Sequence, residues 1–345
     1  MTVRIAVIGA GLIGARHAAA VAAAPGVSLS GIADPSAAGQ AVAKAQDVPW
    51  YRSLGELIEA DRPDGVILAT PNQMHVEGAL ACVAAGLPAI IEKPLAIDLA
   101  GAERIVTAAA AAGVALAVGH HRRHNPLIAR AKEVIADGKL GQITAVQGTT
   151  WFYKPDEYFE ADWRRHKGAG PVYLNLIHDI DLLRYLCGEI ASVHAMESNS
   201  VRHNEVEETA VILLRFSSGA LGTVNVSDTV VAPWSWELTA HENAAYPATS
   251  ETCYWIGGTH GSLSLPNLSL WAHEGKRSWW EPLGETRFPH SPENPLIRQV
   301  SQFAAVIRGE EPPLVPVDEG LRNQQVIEAV KQSAATGATV ALEQR

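Results

Sequence analysis

Short apolar runs alternate with segments of helical spacing over the first 120 residues. Runs of a few consecutive β-branched residues are typical of strands buried on both faces of a parallel sheet, and their alternation with helices is typical of βαβ units. The pattern therefore predicts a parallel sheet covered by helices on both faces. The predicted strands are 4–8, 27–33, 65–68, 89–91 and 115–118, and the predicted helices are 13–24, 37–45, 54–60, 74–85 and 100–112.

Beyond residue 125, strand-like runs follow one another with turns rather than helices between them. Such a succession predicts an α+β domain with an open, mainly antiparallel sheet. The predicted strands are 143–153, 190–200, 209–216, 221–229, 235–239, 252–257 and 263–265, and the predicted helices are 126–137, 171–186, 297–307 and 319–336. Because 345 residues exceed the roughly 250–300 that one core supports, we predict two domains, 1–120 and 121–345.

Charge and cysteine content narrow the class of protein. A net charge of -10 argues against nucleic acid and anionic membranes as partners. The three cysteines, Cys82, Cys187 and Cys253, are odd in number and far apart, which favours a reducing compartment over a disulfide framework. No apolar run reaches the ~18 residues of a membrane span, and the first strand begins too early to leave room for a signal peptide. We therefore expect a cytoplasmic protein.

A G-x-G-x-x-G motif follows the first predicted strand. Gly9 permits the tight turn from strand to helix, Gly11 lets a pyrophosphate approach the backbone, and Gly14 allows close packing of the helix on the strand. Leu12 and Ile13 begin the helix, whose N-terminal N–H groups and dipole favour phosphate. The motif predicts that all five residues bind a dinucleotide.

An acidic residue ends the second predicted strand. Asp34 lies twenty positions after Gly14, where a carboxylate accepts hydrogen bonds from the adenosine ribose. Such a carboxylate repels a 2′-phosphate, and no arginine follows it in Asp34-Pro35-Ser36. We therefore predict NAD rather than NADP as the cofactor; the alternative is a glycine-rich turn followed by a solvated aspartate.

Polar residues follow the third, fourth and fifth predicted strands, at the sheet edge where open α/β sheets bind ligands. A lysine fixed between a strand end and a proline, as Lys93 is, can take up an alcohol proton beside a nicotinamide, although a surface lysine would leave the same pattern. The predicted cofactor contacts are Thr70, Pro71, Asn72 and His75 after the third strand and Glu92 and Lys93 after the fourth, while residues 119–126 after the fifth include His120, His121, Arg122, Arg123 and His124.

The predicted helix 171–186 carries a second candidate group. His178 and Asp181 lie three positions apart on one helical face, where the carboxylate can steady the imidazole. A histidine on such an apolar helix also occurs as a satisfied structural residue. The three histidines of residues 120–124 leave a metal site open, but no cysteine lies near them and hydride transfer needs no metal, so we predict none.

These motifs together resemble the Gfo/Idh/MocA oxidoreductases, which include glucose–fructose oxidoreductase and inositol dehydrogenase, over nearly the whole chain. The resemblance implies a Rossmann domain at 1–120 for NAD, and a domain at 121–345 that binds substrate and pairs subunits as a homodimer or homotetramer. It implies oxidation of a secondary alcohol on a sugar, polyol or other cyclic compound. It also implies that Lys93 is catalytic, that His178 assists at the substrate hydroxyl, and that the peptide before Pro94 is often cis.

One position departs from the family pattern. Inositol-dehydrogenase-like members carry an aspartate four positions before the helix histidine, where this chain has Leu174 followed by Asn175. An asparagine can hold a hydroxyl by hydrogen bonds but cannot accept a proton at neutral pH. The assumption of an inositol or simple hexose substrate is correspondingly weakened.

A group of basic residues bears on the substrate. Arginine can hold a carboxylate through two parallel hydrogen bonds, which favours an anionic substrate; the alternative is that Arg164 touches the cofactor and the others are solvated. The basic residues are Arg122, Arg123, Arg164, Arg165 and Lys167, and the predicted substrate contacts are Arg122, Tyr153, Arg164, Asn175, His178 and Asp181.

Tryptophans are concentrated in the second half, where aromatic residues can stack on a sugar or cover a sheet face between subunits. They are Trp234, Trp236, Trp255, Trp271, Trp279 and Trp280, and the segment 241–252 between them is predicted to be a loop of unassigned role. Three alternatives to sugar oxidation stay open: a dehydrogenase of a carboxylated cyclic cis-dihydrodiol, a non-catalytic NAD-binding regulator, and a hydrolase or lyase that uses the nicotinamide only transiently.

Overall fold

The computed structural model describes residues 2–343, which divide into two compact units. The first unit comprises the described residues up to Asn125 together with Glu293–Gln324. The second comprises Pro126–Pro292 together with the described residues from Gln325 onward. The units differ from the predicted division at 120/121 mainly in one segment, since Glu293–Gln324 clusters with the first unit.

The first unit contains a six-stranded parallel sheet with the order β3-β2-β1-β4-β5-β6, as a doubly wound Rossmann domain requires. The strand β3 was not predicted, because its two residues carry no periodic pattern. The strands are β1 (Val3–Ile8), β2 (Val27–Ala33), β3 (Trp50–Tyr51), β4 (Gly65–Leu68), β5 (Ala89–Ile91) and β6 (Leu116–Val118); the helices are α1 (Leu12–Ala23), α2 (Ala37–Ala45), α3 (Leu54–Asp61), α4 (His75–Ala84) and α5 (Leu99–Ala112).

Both faces of this sheet are buried, which explains the continuous apolar runs. In β1, Ile5 and Val7 pack into one apolar cluster, whereas Ala6 and Ile8 pack into the other. The first cluster is completed by Leu296, Val300 and Phe303 of helix α9 (Pro295–Ile307). Glu293–Gln324 therefore belongs to the first unit because α9 covers one face of its sheet.

The second unit contains a nine-stranded sheet with the order β14-β13-β12-β11-β7-β10-β9-β8-β15. All neighbouring strands are antiparallel except β10 and β7, which confirms the predicted mainly antiparallel sheet. The strands are β7 (Ile143–Trp151), β8 (Ile190–Ser198), β9 (Thr209–Phe216), β10 (Leu221–Ser227), β11 (Tyr254–Gly258), β12 (Gly261–Leu265), β13 (Ser269–Ala272), β14 (Gly284–Arg287) and β15 (Val340–Ala341); the helices are α6 (Pro126–Ala136), α7 (Ile177–Cys187), α8 (Trp236–Thr239) and α10 (Val317–Thr336), which begins in the first unit.

The strand predicted at 235–239 is wrong, because those residues form the short helix α8. Trp236 and Thr239 lie three positions apart and are both buried, which is helical rather than strand spacing. The Thr239 hydroxyl donates to the Ser235 carbonyl at 2.8 Å, and the Trp236 ring stacks on Tyr254. Trp236 is therefore part of the core and does not cover an exposed sheet face.

The nine-stranded sheet has one buried face and one face rich in exposed apolar residues. Along β9, Ile212 and Leu214 are buried in the core, whereas Val211 and Leu213 are 44% and 51% exposed. The exposed apolar side chains on neighbouring strands are Met196, Leu221, Trp255 and Trp271. Among residues 2–343, no helix combines the length and apolar character needed to cross a membrane.

Candidate functional site

The glycine loop joins β1 to α1, and neighbouring backbone packs closely against two of its glycines. Gly9 has φ +89°, and a Cβ there would lie 2.5 Å from the Ala69 carbonyl oxygen. A Cβ at Gly14 would lie 2.0 Å from the Gly9 carbonyl oxygen. At Gly11 a Cβ would meet no protein atom within 4 Å, and Leu12 beside it is 88% exposed. The loop therefore leaves its backbone open at Gly11, which fits the close approach of a pyrophosphate.

Asp34 is fixed at the end of β2 by hydrogen bonds to both carboxylate oxygens. Oδ2 accepts the Ala10 N–H at 2.7 Å, and Oδ1 accepts the N–H and hydroxyl of Ser36 at 2.8 and 2.5 Å. Burial alone would raise the pKa of Asp34, but these hydrogen bonds outweigh it and hold the pKa below its ordinary value. A carboxylate has about four acceptor positions, so the ionised group retains capacity for a ribose hydroxyl.

The turn after β4 is anchored by His75. Thr70 and Asn72 are partly buried, Pro71 is exposed, and Asn72 begins a 3-10 turn that leads into α4. The His75 ring is fully buried, with Nδ1 2.8 Å from the Pro94 carbonyl oxygen and Nε2 3.0 Å from that of Thr70. Both ring nitrogens of His75 thus face the main chain.

A buried contact between a histidine and a carboxylate lies beside Lys93. Nε2 of His17, in α1, lies 2.7 Å from Oε1 of Glu92, and neither side chain is more than 7% exposed. The other Glu92 oxygen accepts the Lys93 N–H at 3.1 Å, and the Lys93–Pro94 peptide is cis, as the resemblance implied. Burial would raise the pKa of Glu92, but the bond and charge of His17, with Lys93 and His121 nearby, lower it from 4.5 to about 2.

Two of the five basic residues predicted to form one group are paired with separate carboxylates. Arg123 is buried and donates to Glu319 at 2.7 Å, and Arg165 donates to Asp162 at 2.7 Å on the surface. Arg122 follows β6 and is 4% exposed. In the part of the chain that the structure describes, residues 2–343, no group of three or more His, Cys, Asp or Glu side chains is arranged to hold a metal ion.

The predicted helix 171–186 begins with a turn of π-helix, Val172–Leu176, before α7. Such single π turns are frequent at functional sites. His178 and Asp181 in α7 are 7% and 1% exposed. Nδ2 of Asn175, in the π turn, donates to Oε1 of Glu237 at 3.4 Å, which brings a carboxylate to the residue that follows Leu174.

A cationic and aromatic group lies in the segment after β7. The Arg164 guanidinium lies 3.9 Å from the centroid of the Tyr158 ring, and its Nη1 donates to the Tyr158 carbonyl at 2.7 Å. The Lys154 ammonium lies 5.1 Å from the same centroid and 3.3 Å from Oδ2 of Asp228. Burial lowers the pKa of Lys154 and raises the pKa of Asp228. Tyr153 is 45% exposed and lines a cavity of about 540 Å³ in this unit.

Sequence reasoning did not single out His17, Glu237 or Lys154. His17 follows Gly14 by three positions, but its partner Glu92 lies 75 residues further along the chain. Glu237 lies in a segment predicted to be a strand, and Lys154 directly follows one. The one available signal was the place of His17 in the predicted helix directly after the glycine motif.

Comparisons with known proteins agree with these features. Residues 3–120 match the model of an oxidoreductase family with an NAD-binding Rossmann fold, and residues 128–264 match the GFO/IDH/MocA C-terminal domain. The 1,5-anhydro-D-fructose reductase of Ensifer adhaerens is 28% identical over 296 residues, which cover 84% of this chain and 83% of that protein. The scyllo-inositol 2-dehydrogenase (NAD(+)) of Bacillus subtilis strain 168 is 28% identical over 357 residues, which cover 99% of this chain and 96% of that protein.

The crystal structure of the WlbA dehydrogenase from Bordetella pertussis in complex with NADH and UDP-GlcNAcA is similar to the full length of the chain, with a TM-score of 0.80, 26% identity and complete coverage of both chains. The predicted resemblance and the predicted NAD cofactor are confirmed by these matches. The chain belongs to the GFO/IDH/MocA family of NAD-binding oxidoreductases.

Proposed function

We propose that this protein is an NAD-dependent dehydrogenase that oxidises a secondary alcohol of a sugar, a polyol or a sugar-acid-like cyclic compound. The observation that carries the proposal is the place of Lys93: its turn follows β5, in the sheet whose central strand β1 leads into the glycine loop. Residue 93 and the glycine loop therefore belong to the same carboxyl edge of the sheet. The names of an anhydrofructose reductase and an inositol dehydrogenase among the relatives support the substrate class.

The cofactor would be held by the residues of that edge. Asp34 would accept the ribose hydroxyls and discriminate against a 2′-phosphate, so NAD is preferred over NADP. When bound, NAD supplies the acceptor for the hydride. The remaining proposed contacts are Gly9, Gly11, Leu12, Ile13 and Gly14 for the pyrophosphate, and Thr70, Pro71, Asn72, Glu92 and Lys93 along the path to the nicotinamide. His75, the other residue predicted for this path, would act on it indirectly, through the Thr70 and Pro94 carbonyls that its buried ring faces.

Lys93 and His178 would handle the proton of the substrate hydroxyl. The Lys93 amine takes the hydroxyl proton as the carbon is oxidised, and His178 hydrogen-bonds the same oxygen. Asp181, one turn further along α7, would steady the imidazole. Asn175 with Glu237 would hold a neighbouring hydroxyl, which gives this protein a carboxylate near the position where Leu174 departs from the family pattern.

An anionic group on the substrate is favoured by Arg164. Its Nε is buried without a hydrogen-bond partner, while aromatic stacking fixes the plane of the guanidinium. Arg122 and Tyr153 are the other proposed contacts, and the WlbA complex with UDP-GlcNAcA is a relative whose bound molecule carries anionic groups. A carboxylated cyclic cis-dihydrodiol is the alternative substrate, and a non-catalytic NAD-binding regulator is the alternative function.

A second copy of the chain is the proposed partner of the exposed face of the nine-stranded sheet. This face carries an apolar groove of about 860 Å³ lined by residues such as Leu213, Leu221 and Trp255. A two-fold axis would place the same apolar side chains against one another, and the resemblance implies that subunits pair in this way. The buried free thiols of Cys82 and Cys187 fit the proposal that the dimer or tetramer works in the reducing cytoplasm.

The Lys93→Met variant tests the proposed chemistry. We expect NAD affinity, measured by calorimetry, to be retained, while turnover on a panel of neutral polyols, aldoses, sugar acids and carboxylated cyclic diols falls by about 100-fold or more, because the proton acceptor is lost. Lys139→Met, at an exposed position, is the control. Unimpaired turnover by Lys93→Met would exclude Lys93 from the reaction, and binding of NAD without turnover of any compound by the wild type would favour the regulator.

A further inference from the structure

The Lys93 turn, residues 92–94, is held from one side by a histidine of the helix that follows the glycine loop. His17 lies in α1, three residues after Gly14, and is fully buried. Its Nε2 lies 2.7 Å from one oxygen of Glu92, and the other oxygen of this carboxylate accepts the Lys93 N–H at 3.1 Å. One carboxylate thus connects α1 to the main chain of Lys93.

The same turn is held from the other side by His75, the first residue of α4. Nδ1 of His75 lies 2.8 Å from the Pro94 carbonyl oxygen, and Nε2 lies 3.0 Å from the Thr70 carbonyl oxygen. A carbonyl oxygen can only accept, so a ring nitrogen that carries a proton donates to the carbonyl oxygen it faces. His75 thus connects the turn after β4 to the residue that follows Lys93.

Neighbouring backbone leaves room for this arrangement. A Cβ at Gly119, after β6, would lie 2.7 Å from Oε1 of Glu92, so the carboxylate occupies the space that a side chain there would fill. Replacing a buried ion pair by apolar residues of similar volume is often neutral or stabilising. What the His17–Glu92 pair adds over apolar packing is therefore direction: it fixes where the carboxylate, and with it the Lys93 backbone, points.

We propose that His17 and His75 are positioning residues. His17 would hold the Lys93 turn against the helix that follows the glycine loop, and His75 would hold it against the turn after β4. The Lys93 amine would then keep a constant position relative to the bound dinucleotide. The inference rests on the proposed role of Lys93. It gives His75 an indirect action through Pro94, and it adds His17, which acts through Glu92. Neither imidazole takes part in proton transfer.

Matched amide substitutions separate this role from simple packing. The side-chain amide nitrogen of glutamine and Nε2 of histidine are the same number of bonds from Cα. The amide nitrogen of asparagine is as far from Cα as Nδ1 of histidine. His17→Gln therefore keeps the bond to Glu92, and His17→Asn loses it. At position 75 the order reverses, because His75→Asn keeps the bond to Pro94 and His75→Gln keeps only the bond to Thr70.

The main measurement needs no substrate. Each variant is labelled briefly with acetic anhydride, with and without saturating NAD, and acetylation of Lys93 is measured by mass spectrometry relative to the exposed Lys139 and Lys276. The protection of Lys93 by NAD reports whether the amine lies beside the cofactor. Calorimetric Kd values for NAD and melting temperatures establish that each variant is folded and loaded.

We expect protection of Lys93 in the wild type, His17→Gln and His75→Asn, and its loss in His17→Asn and His75→Gln at nearly unchanged NAD affinity. Turnover should follow the same order, with a fall of about 100-fold in the unprotected variants, because a 1 Å misplacement can cost that much, and with little change in KM for NAD. If the variants at one position do not fold, the comparison of Gln with Asn at the other position tests the proposal.

Two results would overturn the proposal. One is protection of Lys93 equal to the wild type in His17→Asn and His75→Gln. The other is that the same amide, Gln or Asn, gives the stronger protection of Lys93 at both positions. Side-chain volume alone would produce that result. Absence of protection in wild-type protein that binds NAD is a different failure, because it refutes the proposed place of Lys93 itself.

Discussion

Replacing Glu92 by glutamine removes one charge from a buried pair and leaves its shape unchanged. In the folded protein the pKa of Glu92 is about 2, against an ordinary value of 4.5. Since each unit of pKa difference corresponds to about 1.4 kcal/mol, the ionised carboxylate contributes about 3 kcal/mol to the stability of the first unit at pH 7. Because the folded pKa is the lower one, this contribution is present above pH 4.5 and is lost as the pH falls towards 2.

Native-state hydrogen exchange of the β5 and β6 amides measures this contribution within the first unit. At pH 7 we expect exchange in Glu92→Gln to be faster than in the wild type by about two orders of magnitude, as a difference of about 3 kcal/mol requires. At pH 3.5 the difference in opening free energy between the two proteins should be about one third smaller, because the wild-type carboxylate then contributes only about 2 kcal/mol. Comparing the proteins at the same pH cancels the intrinsic exchange rates.

Glu77→Gln is the matched control within the first unit, because Glu77 forms an exposed pair with Arg104 that contributes less than about 0.5 kcal/mol. Its exchange should equal that of the wild type at both pH values. Equal exchange of Glu92→Gln and the wild type at pH 7, or a gap that does not change between pH 7 and pH 3.5, would refute the reasoning.

Three further substitutions test the proposed specificity and assembly. Asp34→Asn removes the charge that repels a 2′-phosphate, so the ratio of kcat/KM for NAD to that for NADP should fall by about 10-fold; an unchanged ratio would contradict this role. Arg164→Gln should raise KM about 10-fold or more for carboxylated substrates, with neutral polyols unaffected; equal effects on both would exclude an anion contact. Leu213→Glu should convert the proposed dimer or tetramer to smaller species in light scattering, whereas an unchanged mass would exclude this face as the interface.

The first unit was predictable because its strands are buried on both faces. Such strands give continuous apolar runs, and the predicted runs at 4–8, 27–33, 65–68 and 89–91 coincide with β1, β2, β4 and β5 to within a residue. The carboxyl ends of parallel strands meet at one edge, which is why residues as far apart as Asp34, after β2, and Lys93, after β5, could be predicted to lie along the same edge.

The missed elements have physical reasons in common. The strands β3 and β15 have two residues each, and β13 and β14 have four each, which is too short for a clear periodicity. The helix α8 is a single turn, which is too short to show a helical period in the sequence. The His17–Glu92 contact joins residues 75 positions apart, and nothing in either local sequence specifies the other. The proximity of Glu237 to Asn175 likewise depends on tertiary packing, since the two belong to different elements.

The return of α9 to the first sheet constrains the order in which the chain can be completed during synthesis. Until the ribosome has translated Pro295–Ile307, the part of the sheet face that Phe303 and Val300 cover stays open to solvent, because α1 and α2 cover only the rest of it. The first unit therefore cannot finish folding until most of the second unit, which precedes α9 in the chain, has been synthesised. An excised fragment that stops at Asn125 would expose the same apolar face and aggregate, whereas splicing Glu293–Gln324 behind it would restore the missing cover.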